Sequence, residues 1–139
     1  MKDVTIKLVS TVETDGERDV FELSTTGKLG VKGNMTVLIY DESDAIGVNG
    51  VKTMLSITGN KVVMQRSGAL SGRLVIVKDT RQMCVLDTVQ GAMSFGIYGE
   101  NVESTINEFG CKLDMTYTID VNNSLVSKNN ITVTAKLVD

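Results

Sequence analysis

The sequence predicts an all-β protein, a single antiparallel up-and-down β-barrel of about eight to ten strands. Three observations carry that prediction. Apolar and polar residues alternate with a period of two along nearly every segment. Pairs of Gly, Asn and Asp punctuate the chain at short intervals, as hairpin turns require. No stretch holds a clear helical stripe among its strand-like neighbours. Long strands that are apolar on one face either stack or close on themselves, and closure removes exposed edges.

Val4 to Glu13 places Val4, Ile6, Leu8 and Val12 on one face. An Asp15-Gly16 turn then sets Leu8 opposite Leu23 and Glu13 opposite Arg18. Arg18 to Lys32 continues with Phe21, Leu23, Leu29 and Val31 inward. Gly27 and Gly30 interrupt it and mark a bulge or a sharp bend. A Gly33-Asn34 turn leads to Met35–Asp41, apolar on both faces, so periodicity leaves its register open. Asp41 to Gly50 is a polar connection.

The best-patterned stretch is Val51 to Gly68, two strands about a Gly59-Asn60 turn. That turn faces Thr58 with Lys61, Ile57 with Val62, Leu55 with Met64 and Thr53 with Arg66. A Gly- and Ser-rich link leads to Arg73–Lys78, and a turn at Asp79-Thr80 returns through Arg81 to Thr88. In that register Val75 and Val77 share a face with Cys84, and Leu74 and Ile76 share one with Met83 and Val85. Val89 to Gly99 reads as a strand. Glu100 to Gly110 fits either period, and its neighbours favour strand. Cys111 to Asn122 alternates cleanly. A polar loop over Asn123 to Asn130 precedes a last strand with Ile131, Val133, Ala135 and Leu137 inward.

At 139 residues the chain is one domain, 1–139, and no linker or repeat divides it. Net charge is −3, with Lys and Arg scattered, which argues against nucleic acid and anionic membrane as partners. No apolar stretch resembles a secretory signal, and two cysteines are too few for a disulfide scaffold. The expected setting is the cytoplasm, with Cys84 and Cys111 reduced and buried as small hydrophobes.

The chain has no His. That removes the commonest general base and metal ligand, and an enzyme is not expected. Ala92-Met93-Ser94-Phe95-Gly96 loosely matches a nucleophile elbow, but that motif needs a strand-to-helix turn and a base. Asp41, Glu42 and Asp44 lack the spacing of a Ca²⁺ loop. Two cysteines fall short of a structural zinc site. No cofactor and no metal are expected.

Arg66 stands apart. The hairpin register sets it on the face of Leu55, Ile57 and Met64, where a charge must be paired or lie near a mouth open to water. It is either a structural plug that snorkels to an end of the barrel or the anchor for an anion, since its planar fork suits carboxylate and phosphate.

Three stretches, VKTMLSITGNKVVMQRSG, DTVQGAMSFGIYG and GCKLDMTYTIDVNN, followed by NNITVT, resemble the YwiB-like family of small bacterial proteins. The resemblance spans nearly the whole chain in order and spacing. Met64-x-Arg66-x-Gly68, Asp87-Thr88-x-x-Gly91 and Leu113-x-x-x-Tyr117 are its most specific parts. The chain departs at Val89, where the pattern has Pro, and at Cys111, where it has a second Gly, both in turn details. The resemblance implies a calycin-type, lipocalin-like barrel in a bacterial cytoplasm, with no activity to carry over. Ligand-lining candidates are then Arg66, Leu55, Ile57, Met64, Met115 and Tyr117. The expected function is binding of a small apolar or anionic ligand inside the barrel. The alternative is a protein-interaction or structural module with a filled core, such as a homodimer pairing exposed strands, with Met54 and Val63 on its outer surface.

Overall fold

Ten strands form in chain order in the computed structural model. They are β1 (Lys2–Thr14), β2 (Glu17–Lys32), β3 (Met35–Asp41), β4 (Val51–Thr58), β5 (Lys61–Gly68), β6 (Gly72–Val77), β7 (Arg81–Thr88), β8 (Gly91–Asn107), β9 (Gly110–Val121) and β10 (Ser124–Leu137). The structure describes residues 1–41, 50–68, 72–88 and 90–138, without the side chains of 86–88. Each strand pairs antiparallel with its chain neighbours, and β1 pairs with β10, so the sheet closes as a barrel.

The tight turns set the registers. Thr14 faces Glu17 across Asp15-Gly16, both of which have positive φ. Lys32 faces Met35, and Thr58 faces Lys61 across Gly59-Asn60. The register of β2 runs unbroken through Gly27 and Gly30, so neither marks a bulge. Gly27 instead allows a close approach, since a Cβ there would collide with the Ile39 carbonyl oxygen. In β3 the open register resolves with Thr36, Leu38 and Tyr40 inward.

The core runs down the axis. Leu38, Leu55, Ile76, Ile97, Leu113, Met115 and Val133 have no accessible surface. A side chain lining a void large enough for water would keep accessible surface on that side. The middle of the barrel is therefore filled by its own side chains.

Three expectations are corrected. The turn after β6 is Lys78-Asp79, with Asp79 at φ 60° and Val77 bridged to Thr80. Between the Val77–Thr80 bridge and the Gly72–Leu86 pair β7 uses one residue more than β6, and that extra residue puts Leu74, Ile76 and Cys84 together inside and leaves Met83 and Val85 mostly exposed. Second, the two segments from Gly91 to Asn107 are one strand, and its register shifts between Gly99 and Asn101. The extra residue switches the inward series from Phe95, Ile97 and Gly99 to Val102, Ser104 and Ile106. Third, most of the polar stretch Asn123–Asn130 is strand. Asn122 and Asn123 take positive φ and form the tight turn, and β10 starts at Ser124. Polar residues hid this strand because Ser127 and Asn129 are buried inside, where the Asn129 amide donates to the Ser127 hydroxyl at 3.0 Å.

One junction departs from the rest. Between β6 and β7 the only registered pair among the described residues is Gly72 with Leu86. Below it the Val75 N–H donates to Cys84 Sγ at 3.3 Å, and Sγ lies 4.0 Å from the Val75 carbonyl oxygen. A thiol thus stands where backbone groups would pair. At the lower end the Asp79 N–H donates to the Gly99 carbonyl at 2.8 Å. Only glycine fits at 99, because a Cβ would collide with the Val77 carbonyl oxygen.

Candidate functional site

One row of inward residues crosses β2 to β6 at constant height, where Gly27 faces Tyr40, Tyr40 faces Thr53, Thr53 faces Arg66 and Arg66 faces Gly72. Tyr40 and Thr53 are buried, and Arg66 is half-buried. Arg66 sits two residues before the end of β5, near the end of the barrel. Gly68, which follows it, takes φ +98° and sits so close to the Gly50 carbonyl oxygen that no Cβ fits. That contact fixes how β4 enters beside Arg66 and explains the glycine of Met64-x-Arg66-x-Gly68.

Thr53 is the notable neighbour. Its Oγ1 is fully buried and has no hydrogen-bond partner among the described residues. The same holds for Thr36, two inward rows lower on β3. An unsatisfied buried hydroxyl costs about 1–3 kcal/mol.

All six candidate lining residues point inward. Leu55, Ile57, Met64, Met115 and Tyr117 belong to the packed core, and Arg66 alone retains substantial exposure. The core residues touch side chains rather than open space, so the approachable surface in this set is the Arg66 end. Among the acidic residues of the β3–β4 connection, Asp41 ends β3, while Glu42 and Asp44 lie outside the described residues.

Ser94 lies in mid-strand in β8, opposite Val85, not on a strand-to-helix turn. Cys84 and Cys111 are free and buried, and burial pushes the Cys111 thiol pKa up. Among the described residues no three His, Cys, Asp or Glu side chains gather as a metal site would need. On the outer surface, Met54 and Val63 are half-buried.

Sequence reading missed an outer-face ion pair. Arg81 on β7 reaches across β8 to Asp120 on β9, Nε donating to Oδ2 at 3.0 Å and Nη2 to Oδ1 at 2.6 Å. The guanidinium lies over Gly96, where a Cβ would strike it. That glycine within a strand was the available signal, since it marks close approach. Asp120 also accepts from the Asn123 N–H at 3.1 Å. The Arg81 guanidinium holds the Asp120 carboxyl below the usual carboxylate range, with burial opposing and the Asn123 amide assisting.

The model of a domain of unknown function, DUF1934, matches residues 6–133. The chain belongs to the DUF1934 family. It is 26% identical over 131 residues to the uncharacterized β-barrel protein YwiB of Bacillus subtilis (strain 168), covering 94% of this chain and 91% of that one. The crystal structure of the B. subtilis YwiB protein superposes with a TM-score of 0.85, covering 99% of this chain and 93% of that chain at 24% identity. The DUF1934 barrel is thus the shared fold. The resemblance read from the three sequence stretches holds, and the departure at Cys111 sits at the start of β9 without disturbing it.

Proposed function

We propose that this barrel is a non-catalytic binding module that takes a small anionic ligand, a carboxylate or a phosphate, at the barrel end where Arg66 lies. The observation that carries the reading is the Thr53 hydroxyl, buried directly beside Arg66 with no hydrogen-bond partner among the described residues. A ligand oxygen at the guanidinium would be placed to accept from that hydroxyl as well. The filled core restricts the ligand to the end of the barrel, with only a short apolar part able to follow the Arg66 stem. A relative from Bacillus and two free buried thiols support a bacterial cytoplasmic setting.

The test is an NMR titration of the intact protein with octanoate and, separately, with inorganic phosphate. The backbone amides of Val51 to Thr53, Arg66 and Gly72 are expected to shift with one or both. Arg66→Gln, shown folded by its own spectrum, is expected to weaken that binding at least tenfold (the loss of a charge-assisted bidentate contact). Absence of shifts with both probes would sink the reading.

The alternative, an interaction or structural module with a filled core, is favoured by the outer apolar residues. Met83 and Val85 are each about 60% exposed, and Phe109 at the β8–β9 turn is 72% exposed. Native mass spectrometry of the intact protein tests the homodimer form, and a monomer at all concentrations would remove it.

A further inference from the structure

We infer that the barrel opens locally along the β6–β7 seam, without global unfolding, and that this opening admits the apolar part of a ligand to the interior beside Arg66. The second half rests on the anion reading of Arg66; the first does not.

The seam separates two well-held bodies. On one side β6 pairs with β5 continuously, from Lys61 with Val77 to Arg66 with Gly72. On the other side β7 pairs with β8 from Arg81 with Tyr98 to Thr88 with Gly91, and the Arg81–Asp120 pair ties β7 onward to β9. Between the two bodies the backbone ladder is missing over residues 73 to 76, where the Val75 amide and carbonyl meet the Cys84 thiol. Sulfur is a weak acceptor and a thiol a weak donor, so parting this contact sacrifices little. Local openings are drawn from regions where few strong backbone bonds must break.

The ends of the seam define the motion. The turn at Lys78-Asp79 is held by three backbone bonds to two partners: the Lys78 N–H donates to Asn60, the Asp79 N–H to Gly99, and the Gly99 N–H to Thr80. At the other end one registered pair among the described residues, Gly72 with Leu86, closes the gap. The seam therefore parts at its Gly72 end and pivots about the turn. Gly72 lies directly opposite Arg66, so the parting begins one strand away from the guanidinium. Behind it stand Leu74, Ile76 and Cys84, which are core side chains of that wall.

The chain carries its own pair of reporters. Cys84 and Cys111 are each 5% exposed, but Cys111 lies in β9 with ladders on both sides, to Ile106 and to Ala135. Wild-type protein is treated with N-ethylmaleimide under native conditions, and peptide mass spectrometry follows each thiol. Cys84 is expected to label at least ~100-fold faster than Cys111. Its rate should stay flat in low urea, because a local opening exposes little surface, whereas the Cys111 rate should climb with the global unfolding slope. Equal rates with one shared urea dependence would overturn the inference. Amide hydrogen exchange gives a second reading: Leu74 to Val77 and Gln82 to Val85 should exchange faster than Leu113 to Tyr117, and equal protection would again overturn it. If octanoate binds at Arg66, saturating octanoate is expected to slow Cys84 labelling at least tenfold. Fast, urea-independent labelling of Cys84 with no anion bound at Arg66 would overturn the entry role while sustaining the opening.

Discussion

The junction of β1 with β10 and the junction of β6 with β7 both complete the same ring of strands, but by different means. At the first, backbone pairs run without a break from Val4 with Leu137 to Glu13 with Lys128, and the inner face beneath them is Val4, Ile6 and Leu8 against Val133 and Ala135. At the second, one backbone pair and one bridge among the described residues flank a gap that a thiol occupies. Termini joined by a long ladder make the chain ends the firm part of this barrel. Its compliant part lies in mid-chain, next to the half-buried arginine.

The largest expected difference between the two regions comes from removing core volume. Leu113 on β9 is fully buried between Ser104 and Val133, in a wall laddered on both sides. Leu113→Ala should lower the free energy of urea unfolding by about 4 kcal/mol, because that wall cannot relax into the cavity. Leu74→Ala, on the seam side of the core, should cost about 2 kcal/mol, since β6 can settle inward. Equal losses at the two sites would mean that the seam is as rigid as the wall.

Next in size is the pivot. Gly99→Ala pushes a Cβ against the Val77 carbonyl, a backbone group that cannot swing aside. A loss of about 2–3 kcal/mol in urea unfolding is expected from such overpacking. It should also raise Cys84 labelling more than Cys111 labelling. Loss of stability with an unchanged ratio of the two rates would separate Gly99 from the seam.

Much of the well-laddered wall was legible in the sequence, and little of the seam was. The alternation of Cys111 to Val121 determines its inward face, and the Asp15-Gly16 and Gly59-Asn60 turns determine their registers, by local chemistry alone; the face and the two registers are the ones observed. The β6–β7 faces were paired wrongly because the extra β7 residue between the Val77–Thr80 bridge and the Gly72–Leu86 pair leaves no mark in the sequence. The turn itself lies one residue earlier than the sequence suggests and is held by a contact with Gly99 far along the chain. The start of β10 was hidden because Ser127 and Asn129 satisfy each other inside the barrel, a pairing that composition reads as loop. Of the candidate site, Arg66 was found as the odd residue on an apolar face. Thr53 was not, since threonine is ordinary in strands and its missing partner is visible only in three dimensions.

That missing partner gives a smaller and opposite effect. Thr53→Val and Thr36→Val each replace an unsatisfied buried hydroxyl with a methyl of similar size, and each should raise stability by about 1 kcal/mol. The two differ in place. Thr53 adjoins Arg66, and Thr36 faces Val31 and Ile57. If the anion site is real, Thr53→Val also weakens octanoate or phosphate binding while Thr36→Val leaves it unchanged. Stabilisation by both with identical binding would assign the Thr53 hydroxyl to neither ligand nor fold.

The smallest effect concerns what holds β7 on the firm side of the seam. The Asp120 carboxyl is held below its usual value of 3.8, first by its hydrogen bonds from Arg81. A carboxyl depressed in the folded state adds stability that is fully present above the unfolded value and is lost as pH falls through the folded one. As pH falls below about 5, wild-type stability should therefore drop more steeply than that of Asp120→Asn, until the carboxyl is protonated in the folded state as well and the curves run together. Because the pair lies on the outer face, salt should shrink the difference. Urea midpoints of both proteins across that range measure it. Parallel curves would mean that the ion pair contributes nothing, and that the ladder from Arg81 with Tyr98 to Thr88 with Gly91 alone keeps β7 with its neighbours when the seam parts.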